Sequence, residues 1–441
     1  MEVTLDQVLK CREERAERQR ELIDKFSKPV VSFCMNIAGP VKTDNLIERA
    51  FRLGIRRLEG GLLSANARIL FKDVLYRITG PEAVFCVDLP VRKLKEISTR
   101  IEDSDRLGRL FDIDIINTDY SKVERSELGL SERRCLICNN EAKICSSRRI
   151  HSVEELQSCT HQILENSVPE AEADLVASLA VKALLCEVYI TPKPGLVDRE
   201  NNGSHKDMDM LTFAGSAASL HPYFRKAYLC GNNFEKLRKL GLQAEESMFF
   251  ETGGVNTHKG AVFTMGIVCA STGIAVNEGN YDSDCVLDIC ARLSKGIVER
   301  DLKSLDSSEC TTAGQKLFAQ YGISGIRGEM EKGLPSVRKY GLPLLEKLLK
   351  EGKTWDQAGS NALLAILANI TDTNMVSRGG LEKARQASAQ AGKLVSEGFV
   401  PLEKVRELDK AFCEQNLSPG GAADLLAVCC YLHFAKEAFG V

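Results

Sequence analysis

The chain has 441 residues, of which 44% are hydrophobic and 27% are charged, and its formal net charge is −3. This length predicts two or three domains with sizeable cores, and the near-neutral charge excludes a general nucleic-acid binder. Charged residues near the N-terminus exclude a secretory signal, and the 16 cysteines follow no regular spacing. We therefore expect reduced thiols in a cytoplasmic protein.

Strand-type and helix-type runs alternate over residues 1–165, which predicts an α+β domain. Apolar spacing predicts helices at 4–26, 43–53, 64–78 and 91–103. Runs of β-type residues predict strands at 30–37, 83–88 and 109–117. The chain is thus expected to be multidomain, with the strands confined to its first part.

Residues 166–441 carry apolar stripes near the helical period and almost no strand-type run, which predicts a larger all-α domain. Helices are predicted at 170–190, 208–229, 234–250, 258–275, 281–298, 340–350, 356–370, 379–397, 401–415 and 420–438. The junction is expected at 150–168, with Pro169 in the first turn of the next helix. Gly260–Asn277 is uncharged and nearly of membrane-span length, but its polar residues and glycines favour a buried helix, so no membrane partner is expected.

Arg12, Arg15, Arg18 and Arg20 share the first predicted helix with interleaved glutamates. This pattern is typical of a solvated helix with salt bridges. A docking face for an acidic protein partner is the alternative.

Asp112 and Asp114 lie in the third predicted strand, where alternation places both carboxylates on one face and the intervening apolar residues toward the core. Two carboxylates on a rigid strand can share Mg²⁺ with a triphosphate, the layout that nucleotidyl transfer requires. The planar guanidinium of Arg109 nearby suits phosphate. These residues indicate a nucleotidyltransferase-like domain, and an exposed polar strand face is the simpler alternative.

Four residues near the end of the first domain have ligand types suited to zinc: Cys135, Cys138, Cys145 and His151. Their third spacing is irregular, which favours free thiols over a metal site.

The most specific stretch of the chain is Thr252–Gly260, which combines three glycines, two threonines, a histidine and a lysine. Glycines let a backbone reach positive φ and approach a ligand closely, and amides at a helix start bind anions. Lys259 would add a positive charge there. The spacing differs from that of a Walker loop and of a dinucleotide fingerprint. A glycine-rich turn between two core helices is the alternative.

Other polar segments interrupt the predicted helices at residues 191–209, 321–329, 371–380 and 416–424. Each segment alone is compatible with the residues of an ordinary loop or helix cap. In the segment 416–424, Ser418 is expected to be an N-cap, with Pro419 at the first helical position. Together with Thr252–Gly260 they favour convergence on one pocket. Anionic ligand groups would meet Lys193, Lys259, Arg327 and Arg378. A divalent cation would meet Asp207, Asp209 or Asp372.

At this point the motifs resemble two known families. The triphosphoribosyl-dephospho-CoA synthase family is resembled by four stretches: Thr191–Asp198, Asn201–Asp209, Thr252–Gly260 and Leu417–Gly421. Residues 1–160 resemble the apo-citrate lyase phosphoribosyl-dephospho-CoA transferase family through Asn36, Gly39–Lys42, Gly108–Ile115 and Arg134–Cys138, and depart from its pattern at Ala38, where proline is expected. The chain therefore resembles a natural fusion of a transferase domain (1–165) and a synthase domain (166–441).

The resemblance implies a cytoplasmic bifunctional transferase that makes and attaches the citrate lyase prosthetic group. The synthase would join ATP and 3′-dephospho-CoA to give 2′-(5″-triphosphoribosyl)-3′-dephospho-CoA and adenine. The transferase would then attach the phosphoribosyl-dephospho-CoA group to a serine of the citrate lyase acyl carrier subunit, with release of pyrophosphate. No nucleic-acid partner is implied.

The implied reactions suggest roles for particular residues. The nucleotide and its phosphates would meet Mg²⁺ and Lys193, Gly253, Gly254, Asn256, Lys259, Arg327, Arg378, Gly420 and Gly421. A proton for adenine would come from Glu251, Glu329 or His258. The base for the 2′-hydroxyl, and further magnesium ligands, would be Asp207 and Asp209. In the transfer step Asp112 and Asp114 would hold Mg²⁺, and Arg109 would stabilise the leaving pyrophosphate.

Two other functions are compatible with the sequence. An ATP-dependent kinase or ligase with glycine loops around phosphate would produce ADP or AMP instead of adenine. A non-catalytic adaptor for the carrier protein would bind stoichiometric zinc and show no turnover.

Overall fold

Residues 2–303, 310 and 312–440 are described in the computed structural model, and they divide into two units, Met1–Glu172 and Ala173–Val441. The boundary falls within the helix Val153–Tyr189, which contains Pro169 in its interior. The prediction that Pro169 lies in a first turn is therefore wrong. Buried apolar residues continue the helical spacing on both sides of it, so tertiary packing outweighs the hydrogen bond that proline cannot make.

The first unit contains a four-stranded antiparallel sheet in the order β2-β3-β1-β4. Its strands are β1 (Val30–Met35), β2 (Arg68–Leu75), β3 (Glu82–Asp88) and β4 (Phe111–Ile116). Its helices are α1 (Leu5–Phe26), α2 (Asn45–Ser64), α3 (Val91–Glu102), α4 (Ala142–Ser147) and the first part of α5 (Val153–Tyr189). The predicted α+β character of this part is confirmed.

The sequence prediction fails at residues 64–78, where a helix was expected and strand β2 is found. β2 pairs only with β3 and is an edge strand, and its side chains are partly or fully exposed. Charged residues are therefore tolerated along it, and its apolar residues happen to recur at a helical spacing.

The sheet is covered differently on its two faces. Phe33, Phe51 and Phe111 form an aromatic cluster where α2 packs on β1 and β4, with ring centroids 4.7 and 5.4 Å apart. On the opposite face, Leu22 and Ile23 of α1 pack on the sheet in a smaller apolar cluster. The second face consequently has room for polar side chains.

All regular secondary structure in the described residues of the second unit is helical, as predicted. It begins with the rest of α5 and continues with α6 (Met210–Ser219), α7 (His221–Tyr228), α8 (Phe234–Glu251), α9 (Lys259–Asn277), α10 (Ser283–Leu293), α11 (Ala313–Tyr321), α12 (Gly325–Glu331), α13 (Leu342–Lys350), α14 (Trp355–Leu367), α15 (Thr373–Gly379), α16 (Leu381–Ser396), α17 (Leu402–Glu414) and α18 (Gly420–Phe439). Helix α9 is apolar enough to cross a membrane by length and composition, yet 83% of that stretch is buried inside the protein. It is a core helix, in agreement with the sequence prediction.

Several helix boundaries differ from the prediction. Residues 208–229 form two helices because the chain turns at Leu220, and α11 and α12 had not been predicted. Helix α18 begins at Gly420, and its N-cap residue is Pro419, which makes no side-chain capping bond. The predicted capping role of Ser418 is therefore wrong.

Candidate active sites

A cavity of about 440 Å³ in the first unit is lined by the two aspartates of β4. Asp112 and Asp114 alternate with the fully buried Phe111, Ile113 and Ile115, so the prediction that both carboxylates project from one face is confirmed. Their side chains remain 41% and 30% exposed, which leaves both carboxylates accessible to a ligand.

The same cavity is lined by four basic side chains: Arg12, Arg15, Lys42 and Lys122. Lys122 binds the Asp114 carboxylate at 2.7 Å, whereas Lys42 donates to the carbonyl of Ile37 at 2.5 Å. Burial, followed by repulsion from Arg12, lowers the pKa of Lys42. Basic groups therefore outnumber the carboxylates, and such groups form strong hydrogen bonds with phosphate.

Arg109 lines a different cavity, together with Arg133. The guanidinium of Arg109 donates to the carbonyl of Arg134, and burial, followed by repulsion from Arg133, lowers its pKa. Arg133 reaches Asp112 instead, with Nη1 3.3 Å from the carboxylate. The structure thus places Arg133, which sequence reasoning did not single out, next to the predicted metal ligands.

The donor set of this cavity fits Mg²⁺. Mg²⁺ takes hard oxygen ligands and is usually held by one or two carboxylates together with substrate phosphates. Asp112 and Asp114 supply two accessible carboxylates on one rigid strand.

Lys193 and Glu187 form a buried ion pair in the second unit. Lys193 is 1% exposed, and its Nζ lies 2.6 Å from both the carboxylate and the carbonyl oxygen of Glu187. Burial raises the pKa of Glu187, and the Lys193 ammonium opposes that shift. The charge of Lys193 therefore has a protein carboxylate as its partner, where the sequence suggested an anionic ligand.

Two aspartates fix the loop that follows α5. Asp198 accepts hydrogen bonds from the backbone amides of Lys193 and Asn201, at 2.9 and 3.1 Å. Asp409, on α17, accepts from the amide of Gly195 at 2.8 Å and from the Asn201 side chain at 2.9 Å. These bonds hold the loop in the conformation that buries Lys193. Asp409 lies inside a regular helix, and no motif in the sequence marks it.

His258 directly precedes α9 and is 3% exposed. Its Nδ1 lies 2.7 Å from Oγ of Ser216, and its Nε2 is buried without a hydrogen-bond partner among the residues described. Burial, followed by repulsion from Lys193, lowers the pKa of His258 to about 3. The imidazole is therefore neutral at neutral pH, and Nε2 has unused hydrogen-bonding capacity, which is unusual for a buried polar atom.

The carboxyl group of Asp424, on α18, lies at the start of α9. A side chain at Gly260 would overlap this carboxyl group, so only glycine fits there. Burial, followed by the charges of Glu187 and Asp372, raises the pKa of Asp424 well above its usual range, although a bond from the Ala261 amide opposes the shift. Asp424 keeps part of its surface exposed, and the raised pKa favours the protonated form of its carboxyl group.

Asp372 connects the starts of two helices. One of its oxygens accepts from the amides of Asn374 and Met375 in α15, at 2.8 and 3.1 Å, and the other accepts from Ala422 in α18 at 2.9 Å. The sequence suggested a cation ligand here, and the structure uses both oxygens to cap helices.

The polar segments of the second unit come together. A cavity of about 310 Å³ is lined by residues of three of them, 321–329, 371–380 and 416–424. The segment 191–209 joins the last through a hydrogen bond from Ser204 to the Leu417 carbonyl at 2.6 Å and one between His205 and Ser418 at 2.8 Å. Thr252–Gly260 joins the last of these segments through Asp424, whose carboxyl group lies against Gly260.

Lys259 and Arg327 lie on another side of this polar region. Lys259 is partly exposed and pairs with Glu245 at 2.9 Å. Arg327 pairs with Asp301 at 3.4 Å and lies over the ring of Phe263. Glu245, Asp301 and Arg327 line a common cavity of about 140 Å³. An anion bound by either cation would have to displace a carboxylate.

The predicted acids and bases have varied surroundings. Asp209 caps α6 through a reciprocal arrangement with Thr212, and Asp207 and Glu251 are exposed. Glu329 lines the 310 Å³ cavity and accepts from the Ser336 hydroxyl at 2.5 Å. The structure thus gives Asp209 and Glu329 local hydrogen-bonding partners of their own.

The remaining predicted nucleotide-binding residues lie at or near helix ends. Gly253 and Gly254 have φ of 64° and 92°, with open space where a Cβ would project, and Asn256 is exposed. Arg378 donates to the Ser204 carbonyl at 3.1 Å. Gly420 and Gly421 begin α18, and side chains there would crowd Asn374 and Asp372.

Two family models match the chain, one over each unit. Residues 3–167 match CitX, apo-citrate lyase phosphoribosyl-dephospho-CoA transferase, and residues 173–441 match CitG, ATP:dephospho-CoA triphosphoribosyl transferase. The chain belongs to both families. It is therefore a bifunctional transferase of citrate lyase prosthetic-group biosynthesis, with a CitX unit followed by a CitG unit.

Known relatives have the same two-part arrangement. Protein CitXG of Leuconostoc mesenteroides subsp. cremoris is 34% identical over 98% of this chain and 97% of its own length. Protein CitXG of Haemophilus influenzae is 33% identical over 97% of this chain and 95% of its own length. The 2-(5''-triphosphoribosyl)-3'-dephosphocoenzyme-A synthase of Haemophilus ducreyi is 36% identical over 66% of this chain and 97% of its own length.

The lowered pKa of His258 predicts that acid destabilises the CitG unit. An unfolded histidine takes up a proton below about pH 6.5, whereas folded His258 does so only near about pH 3. Stability is therefore fully present above the unfolded pKa and falls as the pH drops below it. From about pH 7.5 to about pH 5.5 the wild-type unit should lose roughly 1.4 kcal/mol more than His258→Gln.

Urea unfolding followed by fluorescence of Trp355, the single tryptophan of the chain and part of the CitG unit, measures this difference. His161→Gln, in the CitX unit and exposed, is the control and should behave as wild type. Equal pH dependence in wild type and His258→Gln would contradict the buried neutral state.

Proposed function

We propose that the CitG unit joins ATP and 3′-dephospho-CoA into 2′-(5″-triphosphoribosyl)-3′-dephospho-CoA with release of adenine. The CitX unit then transfers the phosphoribosyl-dephospho-CoA group to a serine of the citrate lyase acyl carrier subunit and releases pyrophosphate. The observation that carries this proposal is that each unit brings motifs of its own family together. In the CitX unit, Asn36, Lys42, Asp112 and Asp114 line one cavity. In the CitG unit, the segment 191–209 bonds Leu417 and Ser418, and the carboxyl group of Asp424 lies against Gly260.

The first reaction is a glycosyl transfer. The bond between C1″ of the ATP ribose and N9 of adenine breaks, and the 2′-oxygen of dephospho-CoA forms a bond to C1″. Positive charge develops at this carbon in the transition state. Adenine takes up one proton, and the 2′-hydroxyl releases one.

Asp424 is the best candidate for the proton donor. Its raised pKa favours the protonated carboxyl group that a proton donor requires, and its partial exposure allows contact with a departing base. Neutral His258 suits a hydrogen bond to the base through Nε2 better than proton donation. Glu251 and Glu329 remain alternative donors, and exposed Asp207 is a candidate base for the 2′-hydroxyl.

The triphosphate of ATP is assigned to the side of the CitG unit that carries Lys259 and Arg327. Glu245, which pairs with Lys259, is partly exposed, and Asp301, which pairs with Arg327, lines the 140 Å³ cavity. Gly253 and Gly254 leave open space where a Cβ would project, so a ligand can approach this backbone closely, while their amides donate to the carbonyls of Phe250 and Phe249. With the phosphate tail held there, the sugar–base bond is the one positioned to break.

The second reaction is a nucleotidyltransferase-type phosphoryl transfer. The serine hydroxyl of the carrier releases its proton to solvent, and its oxygen forms a bond to the α-phosphorus. The bond from that phosphorus to the bridging oxygen breaks, and pyrophosphate leaves with that oxygen. Lys42, Arg12 and Arg15 line the cavity opposite the two aspartates and suit the phosphate chain. Arg109, in the neighbouring arginine-lined cavity, is a further candidate for pyrophosphate.

Asp112 and Asp114 would hold Mg²⁺, which supplies charge neutralisation for the phosphate oxygens when bound. The two aspartates themselves keep the ion on a rigid strand, and Lys122 orients Asp114 through its 2.7 Å contact.

A single incubation of the full chain with ATP, dephospho-CoA and purified apo-carrier tests the proposal. Adenine should appear on chromatography, and the carrier should gain the mass of one phosphoribosyl-dephospho-CoA group. Formation of ADP or AMP would indicate a kinase or ligase, and absence of turnover would indicate an adaptor. Either result contradicts the proposed reactions.

Asp112→Asn should lower carrier transfer by at least about 100-fold, because an amide is a poor magnesium ligand and lacks the charge. Adenine release should remain at the wild-type rate, since that reaction belongs to the CitG unit. Asp119→Asn, whose exposed side chain bonds only its own turn, is the matched control. Wild-type transfer by Asp112→Asn would exclude the metal role.

Asp424→Asn should lower the kcat of adenine release by about 100-fold or more, because asparagine cannot donate the proton. In the wild type, activity should be present below the raised pKa of Asp424 and fall as the pH rises through it. The variant should lack this fall, and its KM for ATP should change little. Exposed Asp288→Asn should resemble wild type. A wild-type pH profile in Asp424→Asn would remove Asp424 from this role.

A further inference from the structure

Cys135, Cys138, Cys145 and His151 of the CitX unit come together in space although their spacing in the sequence is irregular. Their ligand atoms all lie within 4.8 Å of one another. The Sγ atoms of Cys138 and Cys145 are 3.3 Å apart, and Nε2 of His151 is 3.2 Å from Cys138 Sγ. Three sulfurs and one imidazole nitrogen at these separations can surround one ion.

The local backbone presents these side chains toward a common point. The amide of Cys135 bonds the carbonyl of Asn140 at 2.6 Å, which closes a tight turn around the Cys-x2-Cys pair. Asn139 has φ of 59° and lets the chain reverse directly after Cys138. Cys145 then projects from α4, and His151 lies just before α5.

The segment that carries this cluster has little apolar core. Of residues 117–152, those that are buried are Val123, Arg125, Cys135 and Cys145. Two of these four belong to the cluster itself. Segments of this size with so few buried apolar groups usually depend on a metal or on disulfides for a fixed structure.

We propose that Cys135, Cys138, Cys145 and His151 bind one Zn²⁺ as a closed, four-coordinate structural site. Thiolate and imidazole are the ligands that zinc prefers, and four protein ligands leave no position for a substrate. Each coordinating thiol gives its proton to solvent when the ion binds. The site is separate from the magnesium ligands, which are carboxylates on β4.

The position of the cluster gives it a definite structural consequence. Arg133 lies two residues before Cys135, and its guanidinium contacts Asp112 and the carbonyl of Arg109, the latter at 2.6 Å. A zinc ion that fixes Cys135 would therefore also fix Arg133 beside the aspartate cavity. The zinc ion would have a positioning role only. It would hold Arg133 in place, and the Arg133 side chain itself makes the contact with Asp112.

A disulfide between Cys138 and Cys145 is the competing chemistry, since their sulfurs lie 3.3 Å apart. A disulfide would leave Cys135 and His151 without a role in the cluster, whereas a zinc site uses all four groups.

Metal analysis of the purified full chain decides between these possibilities. We expect about one zinc per chain in the wild type and at least a fivefold loss in Cys138→Ser. Cys285→Ser, a partly buried cysteine of the CitG unit, should retain the wild-type content. Absence of zinc after purification and reconstitution with Zn²⁺, equal zinc in wild type and Cys138→Ser, or an intact mass that shows a Cys138–Cys145 disulfide would each overturn the proposal.

A second pair of variants separates loss of a ligand from loss of folding. His151→Cys supplies a thiolate in place of imidazole and should keep about one zinc, whereas His151→Ala should bind zinc at least tenfold more weakly. With Co²⁺ in place of zinc, the visible spectrum should change between wild type and His151→Cys, because the ligand set changes from three sulfurs and one nitrogen to four sulfurs. An unchanged spectrum would exclude His151 as a ligand.

Discussion

The CitG unit depends on the buried ion pair between Lys193 and Glu187. Removing one partner of such a pair typically costs about 3–5 kcal/mol, because the other charge is left buried and uncompensated. The pair also acts on its neighbours, since the lysine contributes to the lowered pKa of His258 and the glutamate to the raised pKa of Asp424. Burial is the main cause of both shifts, and this ion pair adds to each of them.

The two units build polar sites by different means. In the CitX unit, strand alternation alone sends Asp112 and Asp114 to one side, and helix α1 brings arginines opposite them. In the CitG unit, carboxyl groups and glycines meet at the starts of α9, α15 and α18, where backbone amides have no partners within their helix. The first site is a charged cleft on a sheet, and the second is a junction of helix ends.

Features of the structure that depend on short-range sequence patterns could be predicted from the sequence. Period-two alternation predicted the placement of Asp112 and Asp114, and glycine-rich joints predicted the segments that meet in the CitG unit. The prediction from sequence failed where tertiary contacts determine the structure. Edge strand β2 has a helical apolar spacing, and Pro169 is kept inside a helix by packing on both sides. Lys193 pairs with Glu187, a glutamate that no sequence motif marks. Asp424 received no role because burial and neighbouring charge, which shift its pKa, are properties of the fold and not of spacing.

The uncharged core helix α9 promotes aggregation when the CitG unit unfolds. Once the CitG unit opens, nearly twenty consecutive residues without charge are exposed together, and such stretches associate with one another faster than they refold. Heat inactivation of this protein is then governed by how often the unit opens, and chaperones that shield apolar segments become partners of the unfolded chain. The helix that anchors the native core is thus also the segment through which misfolded copies would aggregate.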